Sequence, residues 1–309
     1  MTYLQVLGGI AAVLIVCAAI RRVAAQTGSK STAVIVVLGI VCLAGGIGGY
    51  RVLSWLTTKP VLLRSPTITA CRDLATNPSC TKVLFIGNSY TYVNDLPTTF
   101  ATLARAGGYG VATGVLATGG ATLEDHVASP ETLSTIQAQK WTIVVLQDQS
   151  QNPSIDYYRE NEMYPAAEHL ALLAHADGAK TMFFLTPARE NGWPAANLPS
   201  YAAMQSAVDT GYLTIAQKLD AEIAPVGDAW ARIVRDKTNI MLWQSDGSHP
   251  TVAGTYLDAC VFYASVFLKS PVGLSYTDGL SSRTAIILQS AAWTVVDDDP
   301  TEWGLARAG

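Results

Sequence analysis

Apolar residues are distributed along this chain in two regimes. Residues 1–20 and 31–50 are runs without a single charge. Beyond residue 80 the apolar positions come in short bursts separated by longer amphipathic stretches. The first regime predicts two transmembrane helices, since about 20 residues rising 1.5 Å each cross a hydrocarbon layer of roughly 30 Å. Arg21, Arg22 and Lys30 form a short basic loop between them. A cleaved signal peptide or a buried helix is the competing reading of the first run, but no basic segment precedes it and its basic residues follow it. Gly45 and Gly49 give the second run a small-xxx-small pair that allows close helix approach. Residues 51–80, rich in Thr, Pro and Ser, read as a juxtamembrane linker, which leaves 81–309 as the folded domain.

Within that domain the bursts fall at Val83–Ile86, Val111–Ala117, Thr142–Leu146, Thr181–Leu185 and Ile223–Val226. They are β-branched and continuous, as strands buried on both faces are. Helix-compatible stretches lie between and after them: Thr98–Ala106, Leu123–Ala138, Glu160–Ala176, Tyr201–Leu219 and a last apolar helix at Thr251–Leu268. Strands alternating with helices, with no tight hairpin signal, imply right-handed crossovers. The expected fold is α/β: a three-layer α/β/α sandwich around a parallel, flavodoxin-like sheet of about five strands. In such sheets ligands bind beyond the carboxyl ends of the strands, so chemistry is sought just after each burst.

Charge separates the two regimes again. No Asp or Glu precedes Asp73, and residues 73–309 hold all 24 acidic residues against 13 basic ones, a net −11. No basic stripe or aromatic-basic motif is present, so a nucleic-acid partner is not expected. Cys17 and Cys42 lie in the membrane runs and Cys260 in an apolar helix, as buried small hydrophobes. Cys71 and Cys80 bracket a short polar loop, and a disulfide between them would stabilise the fold by about 2–3 kcal/mol. Disulfides persist in oxidising compartments, and two spans with a cytoplasmic basic loop put the domain outside the cytosol. Arg51, Lys59 and Arg64 beyond the second span weaken that charge asymmetry. No phosphate-binding loop, zinc motif or other cofactor signature occurs. Asp297–Asp299 reads as a solvated acidic tail rather than a calcium site.

Gly87-Asn88-Ser89 follows the first burst. A serine at a strand-to-helix turn exposes its hydroxyl at the sheet edge, beside N–H groups that face developing negative charge. An ordinary turn serine fits this segment alone equally well, and the glycine that ends a Gly-x-Ser-x-Gly elbow is absent. A base is found by elimination among four histidines. His169 and His175 lie in an alanine-rich helix and His126 near a helix start, where structural roles suffice. His249 sits in Asp246-Gly247-Ser248-His249-Pro250, a polar turn before the last apolar helix. An Asp three residues before a His across a glycine turn can fix its tautomer and stabilise the imidazolium.

Gly87-Asn88-Ser89, the Gly119-Gly120 pair after the second burst, Gln147-Asp148-Gln149-Ser150 after the third and the late Asp246-x-x-His249 occur in the block order of the SGNH (GDSL-like) hydrolases. Across residues 82–269 the chain resembles that superfamily. The resemblance implies Ser89 as nucleophile, His249 as general base and acid, and Asp246 as its orienting partner. It implies an oxyanion hole from the backbone of Ser89, Gly119 and Gly120, where glycine leaves room for the substrate oxygen. Two blocks depart from the family pattern: Asn88 stands where Asp is frequent, and Gln147-Asp148-Gln149-Ser150 replaces Gly-x-Asn-Asp. The side-chain oxyanion donor then falls to Gln149, one methylene longer. The implied activity is serine ester hydrolysis without a cofactor, on a small-molecule or glycan ester such as an O-acetylated carbohydrate. A cell-envelope acyltransferase using the same triad and a non-catalytic anchored binding module are the alternatives. Arg189, Glu190, Trp193, Tyr90, Tyr92 and Trp243 are candidates to line the mouth of the site.

Overall fold

A computed structural model describes residues 80–138 and 140–305. Val83–Ile86 and Ile143–Leu146 are buried along their whole length, which requires a covering layer on each side of the strands they form. Those strands are β1 (Cys80–Gly87) and β3 (Ile143–Leu146), and they pair with β2 (Gly110–Ala117), β4 (Lys180–Phe184) and β5 (Glu222–Ala224). All five are parallel, in the order β2-β1-β3-β4-β5. The direction of winding reverses at β1, which pairs β2 on one side and β3 on the other.

One face carries α2 (Leu96–Ala106), α7 (Val226–Arg235), α8 (Val252–Phe267) and α9 (Ser282–Asp298). The other carries α3 (Leu123–Val127), α4 (Pro130–Ala138), α5 (Tyr164–Ala176) and α6 (Tyr201–Leu219). A single turn, α1 (Ser89–Tyr92), follows β1. Aromatic rings tie α8 to the sheet: Phe85 of β1 meets Phe100 and Phe262 edge-on, and Phe184 of β4 meets Phe262 edge-on. From Ala253 to Ser265 every residue of α8 is buried, which explains its nearly uniform apolar sequence.

Four expectations need correction. The helix expected over 123–138 is broken, because Pro130 lacks an N–H and starts a new helix behind Ser129, whose Oγ accepts from Thr132 N at 3.3 Å. The burst at Ile223–Val226 is shorter as a strand: β5 ends at Ala224, and Val226 already opens α7. The helix at 251–268 is not the last, since α9 packs against it. Asp297 and Asp298 close α9, and Asp299 Oδ1 accepts from the Thr301 and Glu302 N–H groups, so this acidic run is a helix end.

Among the described residues no helix is long and apolar enough to cross a membrane. The two spans expected over 1–50, Cys71 and all of the linker expected over 51–80 except Cys80, which opens β1, lie outside the described residues. Cys80 is disulfide-bonded, whereas Cys260 is free and buried in α8.

Candidate active site

The backbone leaving β1 is gripped before it turns. Gly87 O accepts from His126 Nε2 at 2.8 Å, and Asn88 N donates to Gln147 Oε1 at 2.8 Å. Gln147 Oε1 also accepts from Thr91 Oγ1 at 3.0 Å, so one buried amide spans the turn. A Cβ on Gly87 would lie 2.4 Å from Gln147 Oε1 and 2.5 Å from Thr91 Oγ1, which explains a glycine here. The Asn88 side chain caps α1 by accepting from Tyr90 N, and its Nδ2 donates to Ala121 O at 2.9 Å. The turn of Ser89 is thereby tied to the Gly119-Gly120 loop beyond β2.

Ser89 emerges half-buried at the carboxyl end of β1. Its Oγ lies 2.9 Å from His249 Nε2, and His249 Nδ1 lies 2.5 Å from Asp246 Oδ2. With the proton on Nδ1 donated to the carboxylate, Nε2 is left to accept from the serine hydroxyl. Asp246 Oδ1 accepts from the backbone of Ser248 and His249 at 2.9 and 3.0 Å. The His249 ring N–H, helped by those two backbone donors, holds the Asp246 carboxyl at about 2. It is thus ionised wherever an imidazole can act as base.

The turn bearing His249 is stitched to the segment bearing Ser89. Tyr90 Oη and Ser248 Oγ are 2.9 Å apart, and the Tyr90 ring meets the His249 ring edge-on at 6.0 Å. Asn94 Nδ2 donates to Pro250 O at 2.9 Å and to Thr255 Oγ1 at 3.0 Å. These contacts span more than 150 residues of chain and fix the serine-to-imidazole distance without direct bonds to either group.

Ser89, His249, Gly119, Gly120, Gln149 and Arg189 all line one cleft of about 370 Å³. The N–H groups of Ser89, Gly119 and Gly120 have no backbone acceptor among the described residues, so they are available to an oxygen in the cleft. At Gly120 the need for glycine is conformational: φ is +70°, and a Cβ there would meet nothing within 4 Å. Gln149 is anchored by Gln151, whose N donates to Gln149 Oε1 at 2.7 Å, while Gln149 Nε2 donates to Gln151 Oε1 at 3.3 Å. One amide N–H of Gln149 remains for the cleft.

Asp148 faces inward instead. It is fully buried, and Oδ1 accepts from Leu123 N and Gln149 N at 3.1 and 2.6 Å. Burial raises its carboxyl to about 7 against the pull of those donors. Of the expected mouth residues, Tyr90, Tyr92 and Arg189 line the cleft. Trp243 does not: it packs against Trp230 and Tyr201 and donates from Nε1 to Ala188 O at 3.1 Å. His169 and His175 are exposed on α5, and His126 is buried behind the turn rather than in the cleft. Sequence reasoning missed His126, Asn94 and Gln147 as supports. Only the place of Gln147 at the head of the polar cluster directly after β3 pointed to it.

No family model and no curated relative matches the chain. Solved structures do. A DUF4886 family protein from Bacteroides uniformis superposes with a TM-score of 0.61 at 17% identity, covering 71% of this chain and 95% of that one. A candidate SGNH hydrolase from Slackia heliotrinireducens superposes with a TM-score of 0.51 at 26% identity, covering 61% of this chain and 100% of that one. The first likeness concerns the fold, and the second adds sequence. With its parallel sheet, the hydroxyl–imidazole–carboxylate line beyond β1 and the glycine loop beyond β2, the chain is similar in fold, and to the Slackia protein also in sequence, to the SGNH hydrolases.

Proposed function

We propose that the chain cleaves acyl esters through an acyl-enzyme on Ser89, acting on an O-acylated carbohydrate or a similarly small ester. The observation that carries this reading is the unbroken hydrogen-bonded line from Ser89 Oγ through His249 to Asp246. His249 takes the serine proton as Oγ attacks the ester carbonyl, and the imidazolium that forms is stabilised by Asp246. The carbonyl oxygen becomes an oxyanion facing the N–H groups of Ser89, Gly119 and Gly120, with Gln149 as side-chain donor. His249 then protonates the departing alcohol, and water, activated by the same imidazole, releases the acid. A cleft of about 370 Å³ suits a short acyl group or one sugar unit.

In this reading residues 1–50 anchor the domain on the extracytoplasmic side of a membrane. The two uncharged runs and the disulfide at Cys80 support that placement. The test is labelling with a fluorophosphonate probe and turnover of 4-nitrophenyl acetate. Ser89→Ala is expected to lose both, and His249→Ala to lose at least ~10³-fold in kcat/KM, with melting temperatures preserved. Undiminished turnover in either variant would refute the assignment.

A further inference from the structure

Arg189 lines the cleft, yet the steps assigned to Ser89, His249 and Asp246 make no use of it. It stands just beyond β4, after Thr186-Pro187-Ala188, at the same carboxyl edge of the sheet. Among the described residues it forms no ion pair, and its Nε is buried without a hydrogen-bond partner. A guanidinium N–H removed from water and left without an acceptor is costly. Residues 73–309 offer 24 carboxyls against 13 basic side chains, so acceptors are abundant, and Arg189 is kept apart from them.

Its surroundings sharpen the point. Asn88, Tyr90, Tyr92, Gln149, Ser150 and Ser248 share the cleft and carry no charge at neutral pH. Neither nearby acid pairs with it: Asp246 is held by His249 and two backbone N–H groups, and Glu190 is exposed beside the Gly247 turn. Burial pushes the Tyr90 hydroxyl up, against hydrogen bonds to Ser248 and Ser150 and, to a lesser degree, the charge of Arg189. A guanidinium presents a planar fork of N–H donors that matches the two oxygens of a carboxylate.

We propose that Arg189 binds a carboxylate carried by the ester substrate, close enough to the scissile bond for both to occupy this cleft. Resting on the ester-hydrolase reading, this narrows the substrate class to acyl esters bearing an anionic group. The carboxylate can belong to the alcohol, as in an O-acylated uronic acid, or to the acyl group, as in a half-ester of a dicarboxylic acid. Both place the same chemistry against the guanidinium. Residues 73–309 carry a net charge of −11, which repels an anionic substrate elsewhere and leaves the cation in the cleft as its point of attraction.

The full-length protein is compared on two matched pairs: an O-acetylated methyl glucuronoside against the O-acetylated methyl glucoside, and 4-nitrophenyl hydrogen succinate against 4-nitrophenyl butyrate. The wild type should favour the anionic member of one pair by about tenfold or more in kcat/KM, and that pair identifies which side bears the carboxylate. Arg189→Gln should collapse the ratio towards one, with Arg189→Lys in between. No preference in either pair, or equal losses on both members in Arg189→Gln, would overturn the proposal. Thermal shifts produced by glucuronate and by succinate, relative to glucose, are read in parallel and need no turnover. A shift by either anion that Arg189→Gln abolishes, in a protein that hydrolyses none of the four esters, would uphold the anion site and sink the hydrolase reading. Hydrolysis of the neutral esters with neither anion preference nor anion shift would do the reverse.

Discussion

His126 and Gln147 hold the peptide unit between Gly87 and Asn88 from opposite sides, one by its carbonyl and one by its N–H. Ser89 is the next residue, so any slack in that unit moves the hydroxyl away from His249. Nε2 of His126 donates to Gly87 O, and because burial lowers the pKa of the ring it is neutral at neutral pH, so that Nδ1 accepts from Thr132 Oγ1 at 3.2 Å. His126→Ala strands a buried carbonyl and should cost about 1–3 kcal/mol in denaturant unfolding. It should also lower kcat more than it raises KM, because geometry at the serine is lost while the cleft lining is not. An effect on stability with kinetics unchanged would reduce His126 to a core residue. Gly87→Ala tests the same unit by crowding: with contacts of 2.4 and 2.5 Å to Gln147 and Thr91, the turn must shift, at about 1–3 kcal/mol, and Ser89 labelling should slow.

The elements that carry the site were legible because each strand is buried on both faces and each candidate residue follows a strand directly. Val83–Ile86 leads to Ser89, Leu116-Ala117 to Gly119 and Val145-Leu146 to Gln149, a link that needs only local sequence. What escaped was tertiary. Asn94 meets Pro250 across 156 residues, and no local pattern announces that bond. Helix α9 escaped for another reason. Its inner stripe, Ala285, Leu288, Ala291, Ala292 and Val296, is built largely of alanine, while the larger Ile286 on the outer side is 49% exposed, which blurs the helical period. This helix and the segment after it close the sheet. Ile223 N, on the free edge of β5, donates to Trp303 O at 2.9 Å, and Trp303 Nε1 donates to Val295 O at 3.0 Å. Edge groups satisfied this way cannot template pairing with another chain. Trp303→Ala should remove a buried ring and loosen that closure, destabilising the domain by about 3–5 kcal/mol in urea unfolding. A loss under ~1 kcal/mol would mean that the carboxy-terminal segment merely lies against the sheet.

Across the whole domain, catalysis and stability respond to pH with opposite signs. Ester cleavage needs an unprotonated imidazole, so kcat/KM falls on the acid side. Folding pulls the other way, because several carboxyls are buried: Asp148 is raised to about 7 and Asp258 to about 8, both mainly by burial, and burial likewise pushes Asp209 and Asp228 up. A carboxyl with a folded pKa above its unfolded value of about 3.9 binds its proton more tightly in the native state. Its contribution is complete below that unfolded value and is lost as pH rises towards the folded one, so stability declines between about pH 4 and 8. Asp246, held at about 2, acts in the opposite sense below about pH 4, and His126, held low, does so below its unfolded value of about 6.5, against the four carboxyls. Asp258 offers the clearest test, since it is fully buried and its Oδ1 accepts from Trp230 Nε1 at 2.6 Å, a bond that an asparagine oxygen preserves. Melting temperature measured from pH 5 to 8 should fall with pH in the wild type, and the slope should flatten in Asp258→Asn, whose side chain has no proton to lose. At one pK unit per about 1.4 kcal/mol, the difference approaches several kcal/mol by pH 8. Parallel melting curves for the two proteins would mean that Asp258 titrates alike in the folded and unfolded chain, and this carboxyl would then have no part in the alkaline limit of the fold.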